Sequence, residues 1–163
     1  MKSGMGRNND PDPEPEEINF YTTRDEYGWN EYGWMSNFWR AGQIVDGIEY
    51  PTNEHFYQSQ KAIWPTDAEE IRRAARPWTA MRMGRLLKMI RPNWERVKVE
   101  VMFKGLRAKF GQNLDLKEKL LATGDAVIHE NSPSDLFWGK KGQDMLGKLL
   151  MRVREELRGV YDG

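Results

Sequence analysis

The sequence predicts an α+β fold: a predominantly helical single domain that carries a small β-sheet. Two observations carry that expectation. Apolar residues recur at helical spacing in successive segments after residue 51, while β-prone runs lie before it and again near residue 128. A sheet made from those runs joins segments far apart in the chain. At 163 residues the chain suits one domain, which at this size buries about 70% of the surface its unfolded form exposes.

Residues 1–17, MKSGMGRNNDPDPEPEE, are polar, acidic and interrupted by proline, with too little apolar surface to offset the entropy of ordering. They are expected to form a disordered tail, with the domain spanning 18–160. Ile18 to Tyr21 is a short β-prone run, and Tyr27 to Trp39 reads as an aromatic, glycine-dotted loop. Gln43 to Tyr50 carries Asp46-Gly47 between apolar residues, a pair that favours a tight hairpin. Helical composition extends from Asn53 to Ile63. Thr66 with Glu69 reads as a capping box opening a second helix that ends near Arg76-Pro77, and a third helix runs from Trp78 to Met89. Asn93 is placed to cap a long fourth helix in which Val99, Met102, Phe103, Leu106 and Phe110 form one apolar stripe, with Gly111 as its stop. Leu114 to Thr123 is a short helix ended by Gly124, Ala126 to Glu130 a strand, and Asn131 to Gln143 a turn-rich loop. Met145, Leu146, Leu149, Leu150, Val153 and Leu157 mark a final amphipathic helix.

Composition narrows the chemistry. The chain has no cysteine, hence no disulfide, thiolate nucleophile or cysteine-ligated metal, and its two histidines, His55 and His129, lack partners at ligand spacing. With neither a signal-peptide pattern nor a membrane-spanning apolar run, it reads as a soluble cytoplasmic protein. Net charge is zero, but residues 71–110 hold twelve Lys/Arg against two Asp/Glu. Such a stretch suits phosphate, on a nucleotide or on a nucleic-acid backbone; it equally suits the solvated outer faces of helices.

Two other segments carry candidate chemistry. On the helix Glu54-His-Phe-Tyr-Gln-Ser-Gln-Lys61, residues Glu54, Gln58 and Lys61 stand at i, i+4 and i+7 and share a face. A carboxylate there serves as general base or stabilises positive charge, and a desolvated lysine attacks an aldehyde-like carbon. The same spacing also fits a solvated face with a surface ion pair. In the loop Asn131 to Gly142, exposed backbone N–H groups suit an anion, Asp135 supplies a second carboxylate and Trp138 a flat stacking surface. An ordinary loop around a buried tryptophan has the same pattern.

Taken together, these regions resemble the YbiA-like family, also called NADAR for NAD and ADP-ribose. The resemblance runs through Ile18-Asn-Phe-Tyr21, Trp34 to Phe38, Val45 to His55, Gln58 to Lys61, Met83-Gly-Arg85, Asn93-Trp94, Lys109-Phe110, Leu121 to Asp125, Asp135 to Gly139, Leu146 to Met151 and Val153-Arg154. Each motif is short; their order and spacing give the resemblance its weight. It implies a YbiA-like fold and hydrolysis of an N-glycosidic bond at a ribose C1, without metal or cofactor. The substrate it implies is a small ribose phosphate, either a ribosylamino-pyrimidine phosphate of riboflavin synthesis or ADP-ribose on guanine, the latter in ADP-ribosylated nucleic acid. Neither a membrane nor an obligate protein partner is implied. Glu54 matches the essential acid, Lys61 the lysine of covalent catalysis and Asp135 the conserved loop acid. Asn37, Phe38, Gln58, Arg85, Trp94, Trp138 and Gly139 match substrate contacts. One departure stands out: family members often carry a longer glycine-rich loop before the Leu-Gly pair, where this chain has Lys140-Lys141-Gly142-Gln143-Asp144-Met145. A non-catalytic module that binds ADP-ribose or NAD is the alternative this departure suggests.

Overall fold

A computed structural model describes residues 13–25 and 28–159. Along the chain run β1 (Glu17–Phe20), β2 (Arg24–Asp25), β3 (Gly28–Trp29), a 3-10 turn (Gly33–Met35), β4 (Gln43–Val45) and β5 (Ile48–Tyr50). Then come α1 (Asn53–Ser59), α2 (Pro65–Arg72), α3 (Pro77–Arg85), α4 (Trp94–Gln112), α5 (Leu114–Ala122), β6 (Val127–Glu130) and α6 (Met145–Gly159).

The stripe on α4 organises the core. Met102, Phe103, Leu106 and Phe110 are buried with Leu116 and Leu120 of α5, Ile128 of β6, and Leu146, Leu149, Leu150 and Val153 of α6. Trp34 meets Phe110 edge-on, with ring centroids 6.2 Å apart. The opposite side of α4 packs on α1 at Gly105, where a Cβ would lie 2.1 Å from Asn53 Oδ1. α3 approaches α1 in the same way at Gly84, where a Cβ would lie 2.0 Å from Gln58 Oε1. α1 is thus clasped by two helices, and all seven of its residues are buried.

Distant segments do pair, as expected: β1 and β6 are parallel, with Ile18 opposite Ile128. The strands nevertheless make three separate two-stranded ladders among the described residues rather than one sheet. The Asp46-Gly47 hairpin forms, with φ of 51° and 79° at the two turn residues. Within the segment read as loop, β3 pairs with β2 and the 3-10 turn buries Trp34 and Met35.

Several helix boundaries differ from expectation. Thr66 and Glu69 do not cap: Pro65 opens α2 behind Trp64, and Glu69 is held by the Arg72 and Arg73 guanidinium groups instead. α2 ends at Arg72 and α3 at Arg85. α1 ends at Ser59, because the chain turns there to bridge Ala62 to Ile90 and to offer the Lys61 carbonyl to the Arg91 N–H at 2.9 Å. α4 continues through Gly111, which is exposed and has open space around it, to Gln112. Residues 1–12 of the expected tail lie outside the described residues; Glu17 opens β1, and the Glu16 carbonyl accepts the Val127 N–H at 2.7 Å.

Candidate active site

The start of α1 is fixed from four directions. Thr52 caps it by accepting the His55 N–H at 3.2 Å. Asn37 O accepts the Glu54 N–H at 3.0 Å, and Asn37 Oδ1 accepts from Asn53 Nδ2 at 2.8 Å. The Asn37 segment is itself held from beneath: Lys109, wholly buried on α4, donates from Nζ to the Trp34 and Ser36 carbonyls, each at 2.8 Å. His55 Nδ1 lies 2.7 Å from Thr52 Oγ1 and Nε2 lies 2.8 Å from Ala74 O, so both ring nitrogens serve the fold. Burial lowers the His55 pKa.

Glu54 and Lys61 thereby come together in an apolar setting. Glu54 is 7% exposed and accepts the Gln58 amide N–H at 2.7 Å. Burial raises its pKa and the Asp135 charge adds to the rise, while the Gln58 hydrogen bond and the Lys61 and Arg85 charges oppose it. Lys61 is half-buried, with Nζ 5.4 Å from the Tyr57 ring centroid and 5.8 Å from that of Trp94. Burial lowers its pKa against the pull of Glu54, helped by the charges of Arg85 and Lys98. Carboxyl and amine feel one another's charge, and among the described residues Nζ makes no ion pair with a carboxylate. Arg85, exposed at the end of α3, makes no hydrogen bond or ion pair among the described residues, yet its charge reaches both groups.

An aromatic wall backs the pair. Tyr57 lies 5.1 Å from Trp94 and 5.8 Å from Trp138, between centroids. Burial raises the phenol's pKa, followed by the Glu54 charge, and a hydrogen bond with Trp138 opposes the rise. Trp138 is held by Asp135, whose Oδ1 accepts the Phe137 and Trp138 N–H groups at 3.0 and 2.9 Å. Gly139 is buried where a Cβ would lie 2.5 Å from Asp135 O, so the loop turns tightly behind the tryptophan. The structure thus gathers Glu54, Gln58, Lys61, Arg85, Trp94, Asp135 and Trp138. Asn37 spends its side chain on Asn53 and on Met102, whose sulfur lies 3.5 Å from Nδ2. Phe38 is half-buried beside it, its N–H on Ser36 Oγ at 3.2 Å.

Two residues escape the sequence reading. Burial lowers the Lys109 pKa to about 7. Glu130, 8% exposed at the end of β6, has its pKa raised to about 7, chiefly by burial, with the Asp135 and Asp144 charges adding to it. Of the other basic residues in the 71–110 stretch, Arg72 and Arg73 pair with Glu69, Lys98 with Glu95, Lys104 with Asp46 and Arg107 with Glu156. Among the described residues no group of three His, Asp or Glu is arranged to hold a metal ion.

Residues 19–158 match the NADAR domain. The chain belongs to the NADAR family. It is 47% identical to N-glycosidase YbiA of Escherichia coli over 145 residues, covering 86% of this chain and 88% of that one. N-glycosidase Npun_R5314 of Nostoc punctiforme is 41% identical over 148 residues, covering 82% and 95%. The riboflavin biosynthesis protein PYRR of Zea mays is 34% identical over 93% of this chain, which spans 27% of that longer protein. The solved structure of E. coli YbiA superposes with a TM-score of 0.78 at 45% identity, covering 88% of this chain and 85% of that one. These relatives place the chain among the NADAR N-glycosidases, with the single-domain α+β fold expected. Among the described residues no helix is long and apolar enough to cross a membrane.

Proposed function

We propose that this protein is a cytoplasmic hydrolase that cleaves the C1–N bond of a phosphoribosyl N-glycoside, with Lys61 as nucleophile and Glu54 as proton carrier. The observation that carries the reading is a buried carboxyl and a half-buried amine beside it, both pushed by burial toward their neutral forms and not paired in contact. In a site emptied of water by a bound substrate, the proton moves from Lys61 to Glu54. Neutral Nζ then attacks C1, the C1–N bond breaks, and the departing nitrogen takes the proton from Glu54. The C1–O4 bond opens as the lysine nitrogen forms a C1=N Schiff base, and O4 takes the proton that Nζ sheds. Water adds to C1, the amine leaves, and free ribose phosphate and amine are the net products. Asp135 acts through what it holds: it fixes Trp138 against Tyr57, and its charge favours the protonated form of Glu54. Arg85, with no acidic partner in contact among the described residues, is available to a substrate phosphate.

Names of relatives in riboflavin synthesis favour a ribosylamino-pyrimidine phosphate as substrate. An ADP-ribosylated guanine oligonucleotide is the second substrate to try. Offered both, the folded protein is expected to release the amine or the base from one of them; binding of ADP-ribose with no release from either contradicts the proposal and leaves a binding module.

The same chemistry sets a pH profile. The working pair holds one proton in all, so kcat/KM falls when the pair gains a second and when it loses the first. Because burial raises Glu54 and lowers Lys61, both limbs are expected inside the span between an ordinary carboxyl and an ordinary lysine amine. An acid limb at the ordinary carboxylate pKa, in a steady-state profile, contradicts the burial argument.

A further inference from the structure

A groove outside the reaction residues has no part in the proposed chemistry. Between the α1–α2 turn and the start of α4 lies a groove of about 470 Å³, lined by Gln60, Ala62, Trp64, Arg91, Pro92 and Asn93 among others. That volume falls within the range of small-molecule sites, roughly 300–1,000 Å³. Trp64 stands at the head of α2 with 61% of its surface exposed, and the two prolines at 65 and 92 give the groove further apolar wall. Arg91 is half-buried there, and its guanidinium makes no hydrogen bond or ion pair among the described residues. Asn93 precedes α4 without using its side chain to cap the helix, and its amide makes no hydrogen bond among the described residues.

We infer that this groove binds a nucleoside phosphate, the nucleobase stacking on Trp64 and the phosphate held by Arg91. The chemistry is complementary on each count. A flat, exposed indole offers a stacking face that any base can use. A half-buried guanidinium with no ion pair among the described residues fits a dianion better than a neutral ring. The Asn93 amide supplies both a donor and an acceptor for a base edge, and the Gln60 amide, whose Nε2 reaches Ser59 Oγ at 3.5 Å, adds its carbonyl oxygen.

Position ties the groove to the reaction. Gln60 and Ala62 flank Lys61, the Arg91 N–H donates to the Lys61 carbonyl at 2.9 Å, and Asn93 adjoins Trp94. A substrate with a nucleotide portion remote from the scissile bond therefore meets a second recognition point beside the lysine. This extension to substrate recognition rests on the proposed reaction; the groove's affinity for a nucleoside phosphate does not.

The test is calorimetric titration of the full chain with AMP and, separately, with a short single-stranded oligodeoxynucleotide, confirming afterwards that AMP is recovered unchanged. Trp64→Ala is expected to weaken binding at least five-fold, Trp64→Phe to keep most of it, and Arg91→Gln to weaken AMP but not adenosine. Loss for AMP identifies a free nucleotide as ligand, and loss for the oligonucleotide alone identifies the polymer. Trp64 is exposed, so the variants should melt as the wild type does. If AMP and the oligonucleotide bind Trp64→Ala as tightly as wild type, or bind neither protein, the assignment is wrong. Activity separates the two claims: in a catalytically competent protein, Trp64→Ala should raise KM for an ADP-ribosyl substrate with kcat unchanged and leave KM for a mononucleotide substrate alone. AMP binding that depends on Trp64 in a protein with no glycosidase activity would overturn the proposed reaction and keep the groove.

Discussion

Replacing Glu54 by Gln is expected to lower kcat/KM by a factor of about 10²–10⁴, the usual contribution of a positioned acid–base group, while the fold persists. Glutamine fills the same space and can still accept the Gln58 amide hydrogen bond that Glu54 accepts at 2.7 Å, but it cannot carry a proton to the departing nitrogen. Folding should not suffer, since a carboxyl whose pKa burial raises opposes folding whenever it is ionised. The sign follows from linkage: the unfolded state sheds the proton at lower pH than the folded state, so stability is lost as pH rises through the folded pKa. Glu54→Gln removes that loss, and its stability should be flatter with pH than the wild type's. Turnover within three-fold of wild type would remove Glu54 from the mechanism.

Lys109→Met is expected to destabilise the fold by about 2 kcal/mol at pH 7, because two buried carbonyls lose a donor at roughly 1–3 kcal/mol each, partly offset by relief from burying an amine. Those carbonyls belong to Trp34 and Ser36, just before Asn37, whose own carbonyl and amide hold the first turn of α1. Activity should therefore fall with stability although Lys109 lies beneath the site rather than in it. With its folded pKa lowered to about 7, the wild type gains stability as pH rises from about 7 toward the ordinary lysine value near 10.4. The variant lacks that gain, so the gap between the two should widen over the same range in denaturant titrations. A gap that stays constant or closes contradicts the lowered pKa of Lys109.

Lys109 also shows where a sequence reading stops. The apolar stripe of α4 was legible, and Lys109 stands at i+7 from Met102 and i+3 from Leu106, on that same face. Helical period alone marks it as buried; its polar identity invited a solvated reading, and only the Trp34 and Ser36 carbonyls, more than seventy residues away, explain it. Glu130 is parallel: it alternates with Ile128 on the inner face of β6, so period two marked it too. The pairing of Glu54 with Gln58 was readable from helical spacing, whereas Lys61 joins them from the turn after α1 rather than from the helix, and their burial comes from Gly84 and Gly105 letting α3 and α4 close on α1. The Thr66–Glu69 capping box failed for a local reason: Pro65 starts the helix two residues earlier, behind Trp64, and two arginine forks compete for Glu69. The expected pairing of distant segments is the β1–β6 ladder, while β2–β3 and β4–β5 close as separate local hairpins of two or three residues per strand, a partition that pairing propensity does not encode.

The central claim is that Lys61 bonds to C1 while Glu54 manages the proton, and borohydride trapping during turnover tests it most directly. Borohydride added to enzyme and cleavable substrate should reduce the Schiff base, stop turnover and leave one sugar-phosphate adduct, found by peptide mass mapping on Lys61 and absent from Lys61→Ala. Continued turnover with no adduct, together with a fully active Lys61→Ala variant, would contradict the account and assign the bond cleavage to water acting with Glu54 alone.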